Sequence, residues 1–221
     1  IATPSQIVDA IQEVKKLNAD AIADGYFMDI RDFGASVDAT DNSAAIQAAI
    51  NSAAERTEEF GSGAVYIPPG DWYIEEELTI TGDNIAIIGT GKDSRIFARN
   101  YNGRHFQSVD KDYVVMRDFW CHGDGINAAE NVGGIDFSRF NRSNIKGIEI
   151  SNVGVQDITS TGFRFNTLIL SRLNNCHVRT AIFNGFDLFN GGTSVTLNAC
   201  YAVTCQQAGY KLDTMSYCGL I

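Results

Sequence analysis

The sequence predicts an all-β solenoid, a parallel β-helix whose N-terminal end is closed by a helix, and two superimposed repeats predict it. In the first, a glycine is followed by apolar, variable and apolar residues. The copies are Gly162-Phe163-Arg164-Phe165, Gly185-Phe186-Asp187-Leu188 and Gly209-Tyr210-Lys211-Leu212, at steps of 185 − 162 = 23 and 209 − 185 = 24. A looser copy, Gly134-Ile135-Asp136-Phe137, stands 162 − 134 = 28 residues earlier, as expected if one turn carries an insertion. The second repeat keeps the same steps in Ile150, Leu173 and Leu197, in Val153, Cys176 and Cys200, and in Val155, Val178 and Ala202. Within each copy the apolar period is two, the mark of a strand. Strands this short cannot bury a face alone, but turns stacked about 4.8 Å apart hydrogen-bond to one another and share a core. A leucine-rich horseshoe is the rival, but it needs an asparagine-containing leucine consensus and a helical half-turn, and neither is present.

From the N-terminus, residues 5–22 read as an amphipathic helix. Ile7, Ile11, Val14, Asn18 and Ala21 form a short heptad seam with one polar core position. Such a helix either packs on the solenoid or forms the neck of an oligomer, which divides the chain into a neck, 1–28, and a β-helix, 29–221. Asp41 is the expected N-cap of a second helix with apolar residues at 46, 49, 50 and 53. Because the open end of a solenoid exposes core and strand edges, this helix is expected to be its lid. Strands Ala64–Ile67, Trp72–Ile74, Leu78–Ile80 and Ile85–Ile88 follow, separated by Pro68-Pro69-Gly70 and Gly82-Asp83-Asn84. The pattern ends without a polar cap shortly after Leu212, and the chain begins at Ile1. Both features lead us to expect a piece of a longer polypeptide.

At 221 residues and 44% apolar, the chain can bury one sizeable core. No apolar run reaches membrane-spanning length, so insertion into a membrane is not expected. A formal charge of −10 lacks the basic footprint of nucleic-acid binding. The five cysteines form no CxxC pair and have no zinc spacing. Cys176 and Cys200 fall at equivalent inward positions, as reduced thiols suited to assembly in a reducing cytosol or, alternatively, as a disulfide. No acidic cluster approaches the six or more oxygen ligands of calcium, and neither metal nor cofactor is expected.

Three pieces, Asp32-Phe33-Gly34-Ala35, the helix from Asp41 to Ile50, and Gly63-Ala64-Val65-Tyr66-Ile67-Pro68-Pro69-Gly70-Asp71-Trp72-Tyr73, carry a family resemblance in their order and spacing. Over residues 29–221 the chain resembles the pectate-lyase-type superfamily of right-handed β-helices, bacteriophage tailspikes in particular. It departs at Ser36-Val37-Asp38-Ala39, where such proteins carry a glycine-rich turn. The resemblance implies a right-handed β-helix and carbohydrate work along the solenoid wall. For a phage member it implies a homotrimer of the virion tail, assembled in the host cytoplasm, that attacks a bacterial surface polysaccharide such as capsule, O-antigen or exopolysaccharide. The same scaffold serves glycoside hydrolases, polysaccharide lyases, secreted monomeric lyases or epimerases, and binding modules that cleave nothing, so the site must decide.

If the first and third residues after each repeat glycine point inward, then Asp136, Arg164, Asp187 and Lys211 point outward in one column of alternating charge. That column is either a surface ion-pair ladder or a groove floor. In the second case Asp136 and Asp187 are paired catalytic carboxylates, two turns apart, with Arg164 binding substrate between them. Glu149 and Arg172 match on another wall, most simply as an ion pair. His177 is expected to stack beside Tyr201, either as a solvated pair or as a sugar-facing platform. The long turn, 118–133, offers Asp118, His122, Asp124 and Glu130. There Asp124 and Glu130 are candidate acid and base, and His122 is a candidate substrate contact. Its Gly123-Asp124-Gly125 core is equally ordinary turn chemistry.

Overall fold

The computed structural model describes residues 27–125, 131–139 and 144–221. The expected neck helix over 5–22 lies outside them, and so does Glu130. Strand β1 (Phe27–Asp29) leads through one 3-10 turn, Ile30–Phe33, to helix α1 (Ser43–Phe60). Short strands follow: β2 (Gly63–Tyr66), β3 (Gly70–Ile74), β4 (Leu78–Ile80), β5 (Ile85–Ile88), β6 (Ser94–Ala98), β7 (Gly103–Val109), β8 (Val115–His122) and β9 (Val132–Arg139). The later turns carry longer, bent strands: β10 (Ile145–Lys146), β11 (Glu149–Ile158), β12 (Phe163–Asn174), β13 (His177–Ala181) and β14 (Phe186–Asn198). The chain closes with β15 (Tyr201–Cys205), β16 (Tyr210–Leu212), β17 (Met215–Ser216) and β18 (Gly219–Leu220). Strand pairings among the described residues are parallel and join each turn to the next, which makes the fold a parallel β-solenoid.

Helix α1 is the lid. Ile46, Ala49, Ile50 and Ala53 are fully buried at helical spacing over β1, β2 and β4. The N-cap residue is Asn42, one later than expected, yet the Asp41 carboxylate performs the capping. It accepts the Ser43 N–H at 2.8 Å and ties the helix to β3 through the Glu75 N–H at 3.1 Å. Burial alone would raise the Asp41 pKa, but the bonds from Ser43 and Glu75 outweigh it and the net shift is downward.

The repeat glycines have a steric cause. A Cβ on Gly134 would lie 2.1 Å from the Gly162 carbonyl oxygen, and one on Gly185 would lie 2.6 Å from that of Gly209. Successive turns meet backbone to backbone at this position, leaving no room for a side chain. The residue after each glycine then stacks in the core: Phe163 on Phe186, and Phe186 on Tyr210, both at 5.1 Å between ring centres. The predicted registers are observed, with Ile150 beside Leu173, Leu173 beside Leu197, and Val155 beside Val178. Cys176 and Cys200 are free thiols.

One corner of the solenoid is a column of left-handed residues, Asp118, Asn152, Asn175 and Ala199. Asn175 donates to Asn152, and Asn152 to the Asp118 carboxylate, each at 2.9 Å. Asp118, considered from sequence as a site residue, is therefore part of the corner scaffold, where a short polar side chain tolerates the left-handed backbone.

Candidate functional site

One outer wall is built from β3, β6, the end of β8, the second half of β11, β13 and β15. Because Trp72, Ile96, Cys121, Val155 and Val178 point into the core, their neighbours face out. Two outward columns result. One runs Asp71, Arg95, Trp120, Gly154, His177, Tyr201, and the other Tyr73, Phe97, His122, Gln156, Arg179, Val203. Tyr73 meets Phe97 at 5.3 Å between ring centres, and Phe97 stacks on His122 at 4.5 Å. His177 stacks on Tyr201 at 4.0 Å with an interplanar angle of 26°, as the sequence predicts. Gly154 joins the two groups. A Cβ there would fall 2.3 Å from the Trp120 indole, so its absence lets the ring lie across the strand and reach His177 edge-on at 5.9 Å. The two histidines behave as aromatic surfaces. Burial, then the neighbouring His105 and Arg95, push the His122 pKa down to about 4, against the opposite pull of Asp157 and Asp71. Burial also lowers that of His177.

Across the next corner lies the charged column. Asp136, Arg164, Asp187 and Lys211 are in register, as expected, but the two carboxylates are not exposed: Asp136 is 4% and Asp187 6% accessible. Asp136 is covered by Arg104, a residue sequence reasoning missed. Its side chain lies over Gly133, where a Cβ would meet Cδ at 2.4 Å and Nε at 2.8 Å, and its Nε donates to Asp136 Oδ2 at 3.2 Å. Arg164 reaches the same oxygen at 3.7 Å, and Asp136 Oδ1 accepts the Ser138 N–H at 2.7 Å. Asp187 is less committed. Asn184 donates to Oδ2 at 3.4 Å, while the buried Oδ1 has only the Lys211 ammonium 3.5 Å away and no hydrogen bond. Arg104, Arg164, Asp187, Lys211, Thr161 and Asn184 line a basin of about 300 Å³ at this column.

Asp124, two residues after β8, is exposed, and Glu130 lies outside the described residues. Among the described residues no three Asp, Glu, His or Cys side chains converge as a metal site requires.

A sequence profile described as rhamnogalacturonase A/epimerase, pectate lyase-like, matches residues 27–217. The chain belongs to this family. Among solved structures its fold is similar to the A-module of a mannuronan C-5 epimerase from Azotobacter vinelandii, at TM-score 0.66 and 22% identity over 87% of this chain and 57% of that one. It is also similar to a protein of Geobacillus virus E2, at TM-score 0.62 and 19% identity, over 96% of this chain and 44% of that one. A third similar fold is PfbA, a surface adhesin of Streptococcus pneumoniae, at TM-score 0.62 and 13% identity, over 79% and 48% of the two chains. The chain thus spans 57% or less of each of these structures. No curated protein matches it.

In this member of the pectate lyase-like family, the sequence singled out His122, His177, Tyr201 and the charged column, and the structure sets beside them Tyr73, Phe97, Trp120 and Arg104, which it did not. The steps between aligned residues explain the omission: 97 − 73 = 24, 122 − 97 = 25, 156 − 122 = 34 and 179 − 156 = 23. The long third step breaks the period, and the turn before it carries His105 where the later turns carry the repeat glycine. The usable signal was the outward aromatic at each alternate strand position, Tyr73, Phe97 and Trp120, once the strands were aligned.

Proposed function

We propose that this chain recognises and depolymerises a bacterial surface polysaccharide, as part of a tailspike-like protein of a phage virion that assembles as a homotrimer. The observation that carries the reading is the continuous ladder of contacting aromatic side chains on one wall, from Tyr73 through Phe97, His122, Trp120 and His177 to Tyr201. Because the rings stack on one another, they offer the solvent an apolar strip of ring edges against which the C–H face of a pyranose packs, and Arg95, Arg179 and Gln156 beside them supply donors for its hydroxyls. A solenoid repeats this surface along its axis, which suits a polymer better than a single small molecule. The family, and the similarity to a viral protein over nearly the whole chain, support the same reading.

For cleavage, the reading assigns acid–base work to the charged column, with Asp187 as the reactive carboxylate because its Oδ1, beside the Lys211 ammonium, is the one oxygen of the two column carboxylates without a hydrogen bond among the described residues. Arg164 holds the sugar and Asp136 is the second carboxylate. A non-catalytic adsorption module is the second reading. It is favoured by the engagement of both Asp136 oxygens by Arg104, Arg164 and Ser138, which removes one of the two carboxylates that hydrolysis needs.

The test is an array of purified capsules and O-antigens probed with the wild-type protein and the variants Trp120→Ala and Tyr201→Ala. Each variant is expected to weaken polymer binding about three- to tenfold, the worth of one aromatic stack. Unchanged binding in both removes the aromatic wall from the reading. Asp187→Asn is expected to abolish chain shortening while binding persists, and an ultraviolet-absorbing product identifies elimination rather than hydrolysis. Light scattering near 3 × 24.1 = 72.3 kDa supports the trimer, and 24.1 kDa favours a monomeric lyase or epimerase.

A further inference from the structure

A second cavity, of about 500 Å³, lies on a different wall from the aromatic columns. The two walls share β11, β8 and the later turns but are separated by the left-handed corner at Asp118, Asn152, Asn175 and Ala199. On the far side of that corner Val115, Glu149, Arg172, Thr196 and Gly219 form one outward column. Opposite charges at directly neighbouring positions are expected to close into an ion pair, and the sequence predicts one between Glu149 and Arg172. They do not close. Neither side chain has an ion-pair or hydrogen-bond partner among the described residues, although both line the cavity and both are exposed. A carboxylate and a guanidinium one turn apart thus keep their full hydrogen-bonding capacity at the wall of one groove.

The other walls complete a site. Ser194 and Thr196 bring hydroxyls, which donate or accept as required. Leu170 and Tyr217, 66% and 92% exposed, stand at the rim, each on a left-handed residue with φ of 49° and 52°. Their exposure follows from the corner they occupy, which turns the backbone outward at Tyr113, Gly147, Leu170, Ser194 and Tyr217 in succession.

We infer that the Glu149–Arg172 groove is a second saccharide site, independent of the aromatic wall, that takes one uncharged sugar unit. The carboxylate accepts from one hydroxyl, the guanidinium donates to its neighbour, and Tyr217 and Leu170 cover the apolar face of the ring. Charge balance sets the preference. An acidic sugar meets Glu149 and an amino sugar meets Arg172, so each charged sugar loses by repulsion what it gains by attraction.

The experiment is two-dimensional NMR of the whole chain titrated with methyl glucoside, methyl galactoside and methyl mannoside, with glucuronic acid and glucosamine as charged comparators. At least one neutral glycoside is expected to shift the Leu170 methyl and Tyr217 ring signals saturably, and at least about fivefold more tightly than either charged sugar. Glu149→Ala and Arg172→Ala are each expected to abolish those shifts without lowering the melting temperature, because neither side chain holds the fold together. Trp120→Ala is expected to leave them intact, so that failure here and failure of the polymer reading are told apart. A neutral tetrasaccharide that shifts the same signals identifies a unit within a chain as the ligand, and shifts with the monosaccharides alone identify a free sugar; both support the site. Absence of shifts with every neutral glycoside, equal or tighter binding of a charged sugar, or shifts that survive both alanine variants overturns the inference.

Discussion

His105 is fully buried between β8 and β9, with Nδ1 2.8 Å from the Gly133 carbonyl and Nε2 2.8 Å from the His122 carbonyl. Burial lowers its pKa, and the carbonyl contacts of Gly133, His122 and Ile96 oppose that shift without reversing it. Both ring nitrogens face carbonyl oxygens, so the ring donates to at least one of them. A single side chain thus bridges the last residue of β8 and the second residue of β9. Replacing it by leucine keeps much of the volume but strands a buried carbonyl, at a cost of about 1–3 kcal/mol. His105→Leu is expected to lower the melting temperature by roughly 2–10 °C, by differential scanning calorimetry. His105→Asn, which keeps an N–H donor in a smaller side chain, is expected to recover part of that loss if a donor matters. No recovery with asparagine would mean that volume, not the hydrogen bond, is what His105 supplies.

At the scale of a turn, the repeat glycines make a sharp comparison. A Cβ on Gly185 meets the Ala202 Cβ at 2.5 Å and the Gly209 carbonyl oxygen at 2.6 Å, whereas a Cβ on Gly209 meets only the Ala202 Cβ at 3.5 Å. The same substitution at two equivalent repeat positions should therefore differ. Gly185→Ala is expected to cost about 1–3 kcal/mol as the turns are forced apart, and Gly209→Ala to be tolerated within about 0.5 kcal/mol, both from urea unfolding midpoints. Equal effects would mean that the glycines serve the backbone conformation rather than the contact. This contact is also why so much of the fold was legible. Close backbone approach requires glycine at Gly134, Gly162 and Gly185, and a column such as Phe163, Phe186 and Tyr210 must repeat because each ring stacks on the next. The site was less legible because it depends on side chains that cross between strands. That Arg104 would cover Asp136 follows from its lying over Gly133, a contact set by the early turns where the repeat is irregular. That Glu149 and Arg172 would stay apart follows from side-chain rotamers, which register alone does not fix.

For the whole molecule, two charge effects oppose each other as pH falls. The chain carries a formal charge of −10 at pH 7, so protonation relieves self-repulsion and favours the compact state. Against this, His105, His122 and His177 all have pKa values below the ordinary histidine value, that of His122 at about 4, each with burial as the largest cause. Below about pH 6.5 the unfolded chain then binds more protons at these positions than the folded one, so their contribution to stability is complete above that pH and is lost progressively toward 4. Self-repulsion acts over distance and is screened by salt, whereas the histidine effect arises from burial and is not. In roughly 0.5 M salt the melting temperature is therefore expected to fall steadily from pH 7 to 4.5, and His122→Asn to flatten that slope. A melting temperature that stays level or rises across this range at high salt would mean that the histidines of the aromatic wall and beneath it gain protons in the folded protein, and that the wall presents cations rather than neutral rings to its ligand.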